Sequence, residues 1–122
     1  MGYESKIYVV RKTDLSWNNE DTMKYAQEIA KFDMGKCYSL SDILREQPKT
    51  DCYIYADDGN TRILEDCYGN ALTETSLAEA IEILKQVIAK ADYPYWRYDV
   101  LLKSLEAINE WDNNFHILHY GY

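Results

Sequence analysis

The chain is poor in the residues that most often announce a site. It has 5 glycines, 2 prolines, 3 cysteines and 2 histidines in 122 residues. No G-x-x-x-x-G-K-[ST] loop, G-x-G-x-x-G turn or H-E-x-x-H helix is present, so phosphate cradles, dinucleotide folds and zinc-protease centres lose their usual support. Cys37, Cys52 and Cys67 are odd in number and form no C-x-x-C pair. Neither a disulfide framework nor a zinc cluster is expected, and free thiols in a reducing cytoplasm are the better reading. No basic start followed by a long apolar stretch opens the chain, and no apolar run approaches the ~18 residues of a membrane span, so neither export nor a membrane partner is expected.

Basic residues are also scarce, 13 Lys and Arg against 21 Asp and Glu, a formal charge of -8. Nucleic-acid binding draws its affinity from cations that release condensed counterions, so direct DNA or RNA binding is not expected; a basic protein partner suits the sign better. What is abundant is apolar and aromatic surface, 47% hydrophobic residues with 12 Tyr and 3 Trp. That composition offsets ordering entropy, and the length suits one domain over residues 1–122.

The patterning predicts an α+β fold: a mostly antiparallel sheet of four to five strands with two amphipathic helices, about 76–91 and 96–111, packed on one face. Lys6 to Lys12 is β-branched and aromatic, as strands are. Thr13 to Asp21 reads as a loop. Tyr25 to Met34 fits neither period cleanly and is assigned to a strand because the first strand needs a neighbour. Leu40 to Glu46 reads as a short helix stopped before Pro48. The alternation across Cys52 to Tyr55, followed by Asp58-Gly59, predicts a hairpin with a type I′ turn. Ser76 and Glu79 form a capping box ahead of a stripe through Leu77, Ala80, Ile81, Leu84, Val87 and Ile88. The next helix carries Trp96, Val100, Leu101, Leu105, Ile108 and Trp111 at similar spacing. Phe115 to Tyr120 alternates as a final strand, apolar on both parities, suited to a place beside the first.

Candidate chemistry is thin. His116 and His119, three apart on a strand, point to opposite faces and make poor joint metal ligands. The Asp57, Asp58 and Asn60 oxygens lack the spacing and closing Glu of a calcium loop and read as turn chemistry. No metal, cofactor or catalytic residue is assigned. The charge is uneven, however. Between residues 57 and 82 lie Asp57, Asp58, Glu65, Asp66, Glu74, Glu79 and Glu82 against Arg62 alone, a local charge of -6. The leading expectation is therefore a non-enzymatic interaction protein that docks these carboxylates onto a basic partner, with Tyr93, Tyr95, Trp96 and Tyr98 as a second contact patch. The alternative is a small-molecule-binding protein or small enzyme with a pocket between helices and sheet, joining one of the three thiols to His116 or His119. A homodimer through the apolar last strand is the third.

The stretches MGYESKIYVV, YIYADDGNTRILEDCYG and LHYGY together resemble small proteins encoded by phages and prophages of Gram-positive bacteria. The resemblance spans most of the chain and includes no catalytic signature. It implies a cytoplasmic protein of an infected or lysogenic host, in a context where small acidic inhibitors that imitate nucleic acid occur, and it assigns no residue a role.

Overall fold

In the computed structural model, residues 3–13 and 24–122 are described; apart from Thr13, the loop expected up to Asp21 lies outside them. The chain is α+β. Its elements run β1 (Ser5–Lys12), β2 (Lys24–Gly35), α1 (Tyr38–Leu44), β3 (Cys52–Tyr55), β4 (Arg62–Ile63), β5 (Thr73–Ser76), α2 (Leu77–Lys90), α3 (Trp96–Trp111) and β6 (Phe115–Gly121).

The sheet has six strands in the order β4-β3-β2-β1-β6-β5. The strand reading of residues 25–34 holds, since β2 pairs antiparallel with β1, and the last strand does return beside the first. Two expectations are corrected. Among the described residues the sheet has six strands where four to five were expected, and one pairing, β2 with β3, is parallel, while the short helix expected over Leu40 to Glu46 is present as α1. Parallel pairing follows from α1, which carries the chain across between those two strands, as such a crossover requires.

The sheet curls. Residues just ahead of β3 reach the opposite edge, where Lys49 bridges Thr73, Thr50 N donates to Leu72 O at 2.9 Å, and Glu74 N donates to Pro48 O at 2.9 Å. Curling splits the apolar residues into two clusters. On one face Ile7, Val9 and Ile117 pack with Met34, Leu77, Leu84, Leu101 and Leu105 under the helices. On the other, Tyr8, Val10, Ala26, Cys52, Ile54, Leu72 and Leu118 enclose a second core. Period-2 alternation in β1 and β6 feeds both clusters, which is why neither strand shows a polar parity.

Helix α2 starts as expected, with Ser76 Oγ accepting from Glu79 N–H at 3.3 Å. Helix α3 differs from its expected stripe. Tyr98, Leu101 and Leu105 are buried, whereas Trp96 and Trp111 are exposed, Trp111 at 90%. Tyr95 and Tyr98 are held by packing, Tyr95 Oη donating to Met34 O at 2.6 Å and the two rings meeting edge to face at 4.8 Å. The hairpin turn is also corrected. Gly59 has φ +73° but Asp58 does not take a positive φ, so the turn is not type I′. The Asp58 carboxylate instead accepts from Asn60 N, Thr61 N and Thr61 Oγ1, at 2.6 to 2.8 Å.

Candidate functional site

The seven acids of the expected strip do not form one face. Asp57 and Asp58 sit at the β3–β4 turn, where Asp57 pairs with Lys31 at 3.5 Å. The Asp58 carboxyl is pulled down to about 2 by the Thr61 hydroxyl and the two amides it accepts. Glu65 and Asp66 begin the next turn, and Asp66 Oδ1 accepts from Tyr68 N and Asn70 N. Glu82 pairs with Lys85 one turn along α2. Glu74 and Glu79 line a concavity of about 330 Å³ with Lys12, Asp51 and His116.

In that concavity Lys12 Nζ stands between Asp51 Oδ1 at 3.0 Å and Glu74 Oε2 at 3.2 Å. Glu74 also accepts from Thr50 Oγ1 at 2.7 Å, and His116 Nδ1 lies 3.2 Å away. Asp51, Cys52 and Glu74 are close enough to offer three ligand atoms to one ion. The ammonium already occupies the position between the carboxylates, however. Burial opposes its charge, but the hydrogen bonds to Asp51 and Glu74 outweigh that and raise its pKa. This is an internally compensated ion cluster.

Another concavity is larger, about 740 Å³, and is lined by Tyr3, Arg45, Gln47, Lys49, Asp66, Tyr68, Asn70, Thr73 and His119 among others. It is assembled from four places: the segment before β1, the end of α1, the turn between β4 and β5, and the strands β5 and β6. Register does the assembling. Thr73 lies opposite His119 on β5 and β6, and Ser5 pairs with Gly121 on the other side of β6.

His119 is the chemical centre of this cleft. It is 4% exposed. Its Nε2 lies 2.8 Å from the Ser5 hydroxyl, which is itself fully buried and also hydrogen-bonds the Cys37 thiol. Ser5 thus engages one ring nitrogen, and the ring lines the cleft. Burial pushes the imidazole down to about 4; Asp66 opposes that shift and Arg45 adds to it. The ring is therefore neutral near pH 7, able to donate or accept a hydrogen bond without adding charge. Burial likewise raises the Cys37 thiol, against the Ser5 hydrogen bond. A buried thiol so poised is a weak nucleophile, so the thiol and imidazole are linked without forming a nucleophilic pair.

Aromatic rings form one wall. Tyr3 stacks on Tyr68 at 5.4 Å and on His119 at 6.1 Å, and the Arg45 guanidinium lies 5.3 Å over Tyr3. Gly121 makes room for this wall, because a Cβ there would overlap the Tyr3 ring. Of the residues expected to carry function, only Asp66 and His119 line this cleft. No local sequence pattern connects Tyr3, Ser5, Arg45, Lys49 and Tyr68 with His119; Ser5 and His119 are 114 positions apart.

Among the described residues no helix is long and apolar enough to cross a membrane. No protein-family model, curated protein or solved structure matches the chain.

Proposed function

We propose that this chain is a binding protein whose site is the cleft around His119, and that the cleft takes a small polar ligand. One observation carries the reading. A neutral imidazole, almost wholly buried and pinned through one nitrogen by a buried serine, lines a cleft whose volume falls in the range of small-molecule sites, ~300–1,000 Å³. Burying a polar ring is costly unless its partners are fixed, and here one partner is supplied by the fold while the ring lines a concavity. The aromatic wall and the amide, hydroxyl and charged groups beside it fit recognition of a small molecule by stacking and hydrogen bonding.

The test is a two-dimensional NMR screen of the full chain against small polar fragments, alongside Gly121→Ala. Hits should perturb Tyr3, Tyr68 and His119 together. Gly121→Ala should drive the Tyr3 ring out of its place and abolish those perturbations. A library that moves resonances elsewhere and leaves the cleft untouched would sink this reading.

A second reading keeps the acidic docking surface, narrowed to the β3–β4 turn, and one observation favours it. The Asp57 side chain is 97% exposed, and neighbouring Asp58 is held ionised by three hydrogen bonds from its own turn. Two carboxylates on a fixed turn can stand where phosphates would, as a phage-encoded inhibitor or nucleic-acid mimic of a basic host protein requires. Reversing Asp57 and Asp58 to Lys should abolish binding to a polylysine probe that wild type shows at low salt and loses at high salt. Equal binding by both proteins would remove the reading.

A further inference from the structure

Resting on the reading of the His119 cleft as a ligand site, we infer that its ligand is a small planar ring carrying an anionic group, of the nucleoside-monophosphate kind. In this arrangement the anionic oxygens meet Arg45 and Lys49, and the ring lies against Tyr68.

The charges of the cleft are unequally committed. Acids outnumber bases in the chain, and Lys12, Lys24, Lys31, Lys85 and Arg97 each make an ion pair. Arg45 and Lys49 make none among the described residues, as is also true of Lys6, Arg11, Lys36, Lys90 and Lys103, but these two alone of the unpaired bases line the cleft. Arg45 instead rests over the Tyr3 ring, 5.3 Å from its centroid, which orients a guanidinium without neutralising it. A guanidinium so placed is a preorganised fork for carboxylate or phosphate oxygens. The two acids of the cleft answer this only in part. Asp66 has one oxygen committed to the amides of its own turn, and Glu46 is exposed just past the end of α1.

The ring requirement comes from the wall. Tyr68 stacks on Tyr3 with 21° between the planes and is 52% exposed, so a third flat ring can extend the stack. Extending a stack of this kind should tighten binding of a nucleobase by about 5–150-fold. His119 completes the set as an uncharged hydrogen-bonding group beside Tyr3. Its neutrality leaves the cleft's attraction for anions to Arg45 and Lys49.

The experiment titrates the full chain with adenosine monophosphate, adenosine, ribose 5-phosphate and maltose, by calorimetry and by two-dimensional NMR. The monophosphate should bind at least about tenfold more tightly than either adenosine or ribose 5-phosphate, as expected when stacking and a charge-assisted contact each contribute. Its shifts should map to Arg45, Lys49 and Tyr68. Arg45→Met should weaken the monophosphate about tenfold and leave adenosine unchanged. Tyr68→Ser, at a half-exposed position, should weaken both. Adenosine binding as well as its monophosphate would overturn the anionic half, and ribose 5-phosphate doing so would overturn the ring. Maltose perturbing the cleft where the monophosphate does not would leave the ligand site standing and remove this inference. Silence from all four probes also overturns it, and the fragment screen then decides separately whether the cleft binds anything.

Discussion

Leu72→Ala is expected to cost about 3 kcal/mol and about 10 °C in Tm, because its side chain is fully buried in the cluster enclosed by the curled sheet. Leu72 does not lie in a named strand, yet its carbonyl accepts from Thr50 where the sheet edge meets the segment ahead of β3. Truncation therefore leaves a cavity at the seam of the curl, in the cluster that also holds Ile54 and Leu118. Neighbours anchored in different strands cannot easily collapse into it, which places the cost well inside the range for buried leucine. The control is Val100→Ala on the exposed side of α3, expected within about 0.5 kcal/mol of wild type. Denaturant unfolding of both variants reads the difference. A Leu72→Ala loss below about 1 kcal/mol would show that the second cluster is not close-packed.

The second large effect is a loss of stability in mild acid that originates at His119. Its imidazole is held down to about 4 in the folded chain against 6.5 in an unperturbed one, chiefly by burial. Between those two values the unfolded chain binds the extra proton and the folded chain does not, so stability rises with pH. The contribution is fully present above about pH 6.5, declines as pH falls, and is gone below about pH 4. Its size follows from the pKa difference and is on the order of 3 kcal/mol. His119→Gln keeps a hydrogen-bonding side chain near Ser5 without a titrating group. Urea denaturation at pH 7 and pH 4.5 should show wild type losing about 2–3 kcal/mol more than the variant across that interval. Asp33 and Asp51, also held below their ordinary range by hydrogen bonds, lose stability at lower pH in both proteins and cancel in the comparison. Equal slopes would mean that His119 does not stay neutral inside the fold.

Much of the fold is legible residue by residue. The Ser76 hydroxyl and Glu79 amide set the start of α2 through a local hydrogen bond, and the leucine and isoleucine spacing behind them states which side is buried. β1 and β6 read as strands because their branched and aromatic residues alternate, and their apolar character on both parities is explained by two clusters, one on each face. β2 is ambiguous in isolation. Its exposed Glu28, Ile29 and Lys31 satisfy neither period, and pairing to β1 decides it. α3 misleads for a related reason. Its tryptophans share a spacing with Leu101 and Leu105, and only the position of the sheet and α2 determines which residues are covered.

The candidate site was far less legible. Counting acids along the chain located a real excess of charge but could not see its partners. Lys12 reaches Glu74 from another strand, and Lys31 reaches Asp57 from β2. Cleft residues share no spacing, because they come from four separate stretches brought together by strand register.

Local chemistry therefore determined the elements: backbone capping, turn-forming side chains and periodic burial act over a few residues and are written in order along the chain. Tertiary structure alone decided that the sheet curls, that the strip of carboxylates is dispersed and partly compensated, and that His119 is buried against Ser5. Each of those depends on pairing between strands distant in sequence, and such pairing sets both the dielectric surroundings and the partners of a charged or polar group.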